Sequence, residues 1–73
     1  MPHVTVKMYP GTPEEQKIKL AEEITSVIMK IVNKPEGAVS VSIDEVEENE
    51  WMEKLYQNEI RPNYERLYKK PGY

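Results

Sequence analysis

Pro2 has the most unusual chemistry in this chain, because removal of Met1 would leave its ring nitrogen as a free secondary amine. An ordinary terminal amino group has a pKa of about 7.7–8.0. Burial disfavours the charged form of an amine and lowers that pKa, so a half-buried proline amine is a usable general base near neutral pH. Such a base is suited to removing a proton from an atom next to a carbonyl group. The alternative is that the proline merely begins an edge strand, where its missing N–H is tolerated.

The stretch that follows Pro2 has the period of a β-strand with one buried face. The side chains that share the parity of Pro2 are apolar: Val4, Val6 and Met8. The intervening side chains are polar: His3, Thr5 and Lys7. Alternation with β-branched residues predicts a strand, and the Tyr-Pro-Gly turn at residues 9–11 predicts its end. This pattern places the proline at the end of a half-buried strand.

A helix is predicted to follow, opening with Thr12-Pro13-Glu14-Glu15. Thr12 is expected to cap the helix, Pro13 suits its first position, and Glu15 completes a capping box. Apolar side chains then recur at helical spacing: Leu20, Ile24, Val27, Ile28 and Ile31. The helix is expected to end near Asn33, since Pro35 disfavours helical geometry in the residue before it.

Residues 38–43 alternate again, with valine and isoleucine on one face and serine on the other. Strand, helix and strand in this order form a βαβ unit, and a crossover of this length predicts parallel strands. We therefore predict an α+β fold with a parallel two-stranded sheet covered by the helix. Two strands are too few for independent stability. We expect a second copy to extend the sheet to four strands.

The last third of the chain is predicted to be irregular at first and helical later. The acidic run at residues 44–50 is interpreted as a solvated loop, since it lacks the ligand spacing and glycine of an EF-hand. Asn49 is expected to cap a helix that carries Trp51, and Pro62 to interrupt it. One or two further helical turns are predicted near residues 64–68.

Composition limits the classes of protein that are compatible with this chain. It has 73 residues, no cysteine and one histidine, which predicts a single domain over residues 1–73 without disulfides and argues against a zinc site. A chain this short needs a source of stability besides its own core. With disulfides and a zinc site argued against, oligomerisation is the source that remains. A net charge of −3 argues against a nucleic-acid binder. No apolar run approaches a membrane span or a signal peptide, so we expect a cytoplasmic protein.

The chain resembles the 4-oxalocrotonate tautomerase family over essentially its whole length. The resemblance lies in Pro2 directly before the first strand, the Pro10-Gly11 turn with Glu-Gln-Lys at residues 15–17, and residues 39–43 followed by Glu45. The stretch from Trp51 to the end is similar to the PptA-like branch of that family. Its tail is longer than in the hexameric members, which favours a homodimer over a hexamer.

The resemblance implies a keto–enol tautomerase that needs no cofactor and acts on enols of 2-oxo acids. Pro2 would serve as general base and acid, moving a proton between the oxygen and a carbon of the enol. Family members place an aromatic residue where Trp51 stands, lining the substrate pocket. From the sequence alone, a core or interface anchor is an equally valid interpretation of Trp51.

This chain departs from the hexameric members at the positions of their two substrate-binding arginines, which match Thr12 and Ser40. Neither residue supplies a positive charge, so a monocarboxylate with an aromatic body, such as a phenylpyruvate enol, fits better than a dicarboxylate. Arg61 is predicted to bind the substrate, with Lys7 and Lys70 as alternatives. Each of these three cations is also explained as a solvated surface charge.

Two other functions remain compatible with the sequence. The tyrosines and cations of the last third have an interface-like composition, which also fits a non-catalytic oligomeric or ligand-binding protein in which Pro2 is idle. A hydratase or dehalogenase using the same proline is less favoured, because the arginines are missing.

Overall fold

The computed structural model describes residues 1–73 as a βαβ unit followed by a C-terminal helical segment. Strand β1 spans His3–Met8, helix α1 spans Glu14–Val32, and strand β2 spans Ser40–Glu45. The two strands pair in parallel, from His3 opposite Ser40 to Met8 opposite Glu45. The predicted α+β class and parallel βαβ unit are therefore confirmed.

The alternation of the two strands separates an apolar sheet face from a polar one. Val41 and Ile43 face α1, whereas His3 Nδ1 and Ser40 Oγ share a hydrogen bond of 2.6 Å on the opposite face. Beside them, the Ser42 hydroxyl donates to Thr5 Oγ1 at 3.1 Å. The predicted parity of both strands is thus correct.

Strand β2 begins and ends two residues later than predicted. Residues 36–38 form a 3₁₀ turn instead, and the pairing begins where the Ser40 N–H donates to the Pro2 carbonyl at 3.2 Å. It continues until the Val46 N–H donates to the Met8 carbonyl at 2.8 Å. The length of β1, rather than the run of β-branched residues, therefore sets the bounds of β2.

The ends of α1 agree only in part with the sequence pattern. Pro13 occupies the N-cap position and no side chain caps the helix, so the predicted capping role of Thr12 is wrong. The extended ψ of 150° at Pro13 moves the start of the helix to Glu14 and leaves Thr12 outside it. At the other end Asn33 adopts the left-handed conformation (φ 61°, ψ 54°) and ends the helix as expected.

The C-terminal helical segment, residues 48–66, begins within the predicted acidic loop. Asp44 and Glu45 still belong to β2, and Glu48–Glu50 already forms a first α-helical turn. Asn49 does not cap this turn, because Glu47 holds the cap position without a side-chain hydrogen bond. The prediction of a loop over residues 44–50 is therefore wrong at both ends, and only residues 46–47 lie outside regular secondary structure.

The segment continues as a wide π-helical stretch, Trp51–Ile60, and then as a 3₁₀ helix, Arg61–Arg66. Pro62 does not end the helical segment, because it lies in the first turn of the 3₁₀ helix, where a missing N–H costs little. The predicted interruption instead takes the form of a change in helix type at residues 60–61.

Almost no residue of the chain is fully buried. Leu55, at 8% exposed, is its one buried residue. Val27 and Ile31 of the predicted inward stripe of α1 are 51% and 74% exposed, because a two-stranded sheet is too narrow to cover them. The fold therefore presents a large apolar area to its surroundings.

We predict that Asn33→Ala lowers the free energy of unfolding by about 1–2 kcal/mol, since a side chain with an ordinary Cβ is strained in the left-handed conformation. Asn33→Gly should be tolerated, because glycine adopts this conformation freely. Denaturant titration at a fixed protein concentration measures both, with Lys34→Ala as a neighbouring exposed control. Equal losses in Asn33→Ala and Lys34→Ala would contradict the assigned role of Asn33.

Candidate active site

Pro2 lies directly before β1 and is half-buried. Its carbonyl accepts a hydrogen bond from the Ser40 N–H at 3.2 Å, which ties it to the start of β2. Met1, which precedes it, is 96% exposed. The paired strands thus hold the Pro2 backbone in place while Met1 projects into solvent.

An aromatic cleft of about 580 Å³ lies at the opposite end of β1. It is lined by residues from the end of β1, the turn that follows, the π-helical stretch and the C-terminus: Lys7, Met8, Tyr9, Pro10, Thr12, Trp51, Met52 and Tyr73. We call it the Trp51 cleft. Its volume is within the usual range for small-molecule sites, and apolar walls with few polar groups are typical of them.

Trp51 is fixed in this cleft by contacts with two tyrosines. The ring of Tyr9 meets it edge-on, with centroids 5.2 Å apart, and its Nε1–H donates to the Tyr73 hydroxyl at 2.9 Å. Tyr73 in turn packs at a tilt on Tyr56, with centroids 5.8 Å apart. The C-terminal residue therefore closes one side of the cleft and holds the indole in position.

The three predicted cations occupy different environments. Lys7 lines the cleft, and its Nζ donates to Glu59 Oε2 at 2.6 Å. Arg61 does not line the cleft, since its guanidinium donates to Gln57 Oε1 at 3.3 Å within the helical segment. Lys70 lies over the ring of Tyr64, 5.7 Å from its centroid.

Thr12 and Ser40, which the family resemblance matches to the two arginines of the hexameric members, lie in different places. Thr12 lines the Trp51 cleft, whereas Ser40 is exposed on the polar face of the sheet. The cleft therefore lacks a cation at the Thr12 position.

One chain does not bring Pro2 and Trp51 together. Pro2 precedes the six residues of β1 and the cleft surrounds the end of that strand. At about 3.3 Å per residue the two positions are about 20 Å apart. A pocket that contains both residues needs more than one copy of the chain.

Several lining residues were not identified from the sequence. The sequence pattern predicts only a turn at Tyr9, and it does not indicate that Tyr73 contacts Trp51. The structure also shows no group of three or more histidine and acidic side chains that could hold a metal ion. None of its helices is both long and apolar enough to span a membrane.

Comparison with known proteins identifies the family. The sequence model of the family described as tautomerase enzyme matches residues 2–53. The chain belongs to the tautomerase family. Tautomerase PptA of Enterobacter sp. (strain 638) is 39% identical over 74 residues, covering 100% of this chain and 97% of the relative. Tautomerase PptA of Klebsiella pneumoniae (strain 342) is 43% identical with the same coverage.

Solved structures of the family share the fold. YwhB, a homologue of 4-oxalocrotonate tautomerase, is similar with a TM-score of 0.62 and 37% identity, over 63% of this chain and 75% of that one. DmpI from Helicobacter pylori has a TM-score of 0.62 and 35% identity, over 66% and 81% of the two chains. The resemblance inferred from Pro2 and the strand motifs is confirmed, and family membership supports a tautomerase activity.

We predict that Tyr73→Ala exposes the indole of Trp51, since its Nε1–H loses its acceptor and the cleft loses one wall. The emission of this sole tryptophan should shift to longer wavelength, and quenching by acrylamide should increase. Tyr68→Ala is the matched control, because Tyr68 is fully exposed. Identical emission spectra for the two variants would contradict the contact between Trp51 and Tyr73.

Proposed function

We propose that this tautomerase interconverts the enol and keto forms of 2-oxo acids with an aromatic body, such as phenylpyruvate, without a cofactor. The observation that carries the proposal is the Trp51 cleft, in which aromatic and apolar walls surround a single charged side chain. A flat aromatic ring with one carboxylate matches such a site. Dicarboxylates match it poorly, because their second charge would be desolvated without a partner.

The base in the proposed mechanism is the ring nitrogen of Pro2 after removal of Met1. The neutral amine takes the proton from the enol hydroxyl, the carbonyl bond forms, and the electron pair of the C=C bond takes the proton back at carbon. The O–H bond is replaced by a C–H bond, and the amine returns to its neutral form. An apolar environment favours this neutral form at the start of each cycle.

A dimer is proposed to assemble the site. Pro2 and the Trp51 cleft lie at opposite ends of β1, so we place Pro2 of one copy at the cleft of the other. A twofold contact is reciprocal, and one interface would therefore form two identical pockets. The exposed apolar residues of α1 and the open edges of the two-stranded sheet support this assembly.

Two finer predictions follow from the same proposal. Arg61 remains a predicted substrate-binding residue, but it would have to reach the pocket from another copy, since it does not line the cleft of its own chain. We also retain the predicted cytoplasmic location. Neither prediction affects the roles of Pro2 and Trp51.

A non-catalytic ligand-binding protein is the second candidate function. It is favoured by the observation that the cleft is formed within one chain while Pro2 lies at the far end of β1. In that case the cleft would bind its ligand without Pro2 taking part.

We predict that Pro2→Ala lowers kcat for ketonisation of phenylenolpyruvate by about 10²–10⁴-fold, the usual contribution of a general base. The midpoint of the acid limb of the wild-type pH–rate profile should lie at a pH below about 7.7–8.0, the reference pKa range of a terminal amino group. The reason is that burial disfavours the charged amine. Intact mass must first establish that Met1 has been removed from both proteins. Since the nitrogen of Pro2 is an amide when Met1 is retained, only the processed form is expected to be active.

The outcome that separates the two functions is the rate of the processed variant. Equal rates for processed wild type and Pro2→Ala would exclude the proposed mechanism, and rates no higher than the uncatalysed reaction in both would favour the non-catalytic function. His3→Ala is not a suitable control, because His3 bonds Ser40 beside Pro2. Lys19→Ala, an exposed change on α1, serves better.

We predict that the protein is a dimer in solution and that its melting temperature rises with protein concentration, as linkage to assembly requires. Val27→Glu should shift sedimentation equilibrium toward the monomer, because Val27 is an exposed apolar residue beside Val4. Gln16→Glu, an exposed change on the same helix, is the control for one added negative charge. A monomeric wild type with a concentration-independent melting temperature would contradict the shared pocket.

A further inference from the structure

We propose that Lys7 binds the carboxylate of the substrate in the Trp51 cleft and that Glu59 competes with the substrate for this cation. The inference rests on the proposed function, and it names the residue that replaces the missing arginines. It also assigns a role to an ion pair that the proton-transfer step does not use.

Lys7 is the only charged side chain among the eight that line the cleft. The other lining groups able to form hydrogen bonds are mostly uncharged hydroxyls, and one of these, on Tyr73, already accepts from Trp51. The lysine side chain is 34% exposed, so it is partly buried but remains accessible to a ligand. A carboxylate that entered this cleft would therefore find one cation, Lys7.

The alternative cations have other partners outside the cleft. Arg61 donates to Gln57 one helical turn away, and Lys70 lies over the ring of Tyr64. Neither lines the cleft. Lys7, by contrast, reaches the cleft from β1, a paired strand that holds its backbone in a defined register opposite Asp44.

Glu59 holds the ammonium in the absence of ligand. Its Oε2 lies 2.6 Å from Lys7 Nζ, and its side chain is 50% exposed. Ion pairs with this degree of exposure contribute little to stability, so a carboxylate held by the aromatic walls can displace Glu59 or share the ammonium with it. In either arrangement the negative charge of Glu59 opposes substrate binding.

This pairing gives a specific consequence for substrate choice. A ligand with one carboxylate satisfies the single cation, and its aromatic body contacts Trp51, Tyr9 and Tyr73. A second carboxylate would find no second cation in the lining and would be desolvated without a partner. Selectivity for monocarboxylates would then arise because Lys7 is the single cation of the lining and no arginine adds a second one.

The test compares the KM values of Lys7→Met and Glu59→Gln for phenylenolpyruvate. Lys7→Met should raise KM about tenfold or more with a much smaller change in kcat, because a charge-assisted hydrogen bond is lost while the Pro2 base is retained. Lys7→Arg should recover part of the loss. Glu59→Gln should lower KM severalfold, because the competing negative charge is removed.

The matched control is the exposed pair Lys54–Glu50, in which Nζ and Oε2 lie 2.8 Å apart on the same helical segment. Lys54→Met and Glu50→Gln should leave KM unchanged. An unchanged KM in Lys7→Met would overturn the inference, and so would a raised KM in Glu59→Gln. Circular dichroism confirms that each variant is folded.

A binding assay separates this inference from the proposed catalysis. Quenching of Trp51 emission by phenylpyruvate reports occupancy of the cleft without any reaction. If Pro2→Ala proves fully active but Lys7→Met weakens quenching, the proposed mechanism fails and the role of Lys7 stands. If Pro2→Ala is inactive but quenching is the same in wild type and Lys7→Met, the mechanism stands and the role of Lys7 is excluded.

Discussion

The parallel pairing of β1 with β2 is the interaction on which the rest of the structure depends. It begins at the Pro2 carbonyl and ends at the Met8 carbonyl, so a single ladder sets the position of the proline at one end and of the cleft at the other. The Lys17–Glu45 ion pair, at 2.7 Å, joins α1 to the end of β2. The hydrogen bond that Lys17 donates to Glu45 raises the pKa of its ammonium, which keeps the pair ionised.

Sequence periodicity predicted the elements and their faces well because it reflects which side chains are buried. The alternation of β1 and β2 correctly separated the face that carries His3 and Ser42 from the face under α1. Sequence patterns failed to predict the ends of elements, which depend on backbone conformation and backbone hydrogen bonds. Thr12 did not cap α1 because Pro13 adopted the extended conformation of a cap residue, and β2 ran on into acidic residues because β1 offered further partners.

The site was predictable only in the parts that a local pattern or the family resemblance could indicate. Pro2 and Trp51 were predicted in this way as site residues, and the structure places Trp51 in an aromatic cleft. The contacts of Lys7 with Glu59 and of Trp51 with Tyr73 join residues 52 and 22 positions apart. No periodic pattern encodes such contacts, since they depend on how an irregular helical segment returns to the end of a strand.

The scarcity of buried residues links the stability of this protein to its proposed chemistry. A chain with only Leu55 buried cannot shield its own terminal amine from water to the extent that a low pKa requires. If a second copy covers the apolar face of α1 and the strand edges, the same contact desolvates Pro2 and brings it to an aromatic cleft. Assembly would then be a condition of catalysis, because a separate protomer would hold a solvated base at one end of β1 and an unused cleft at the other.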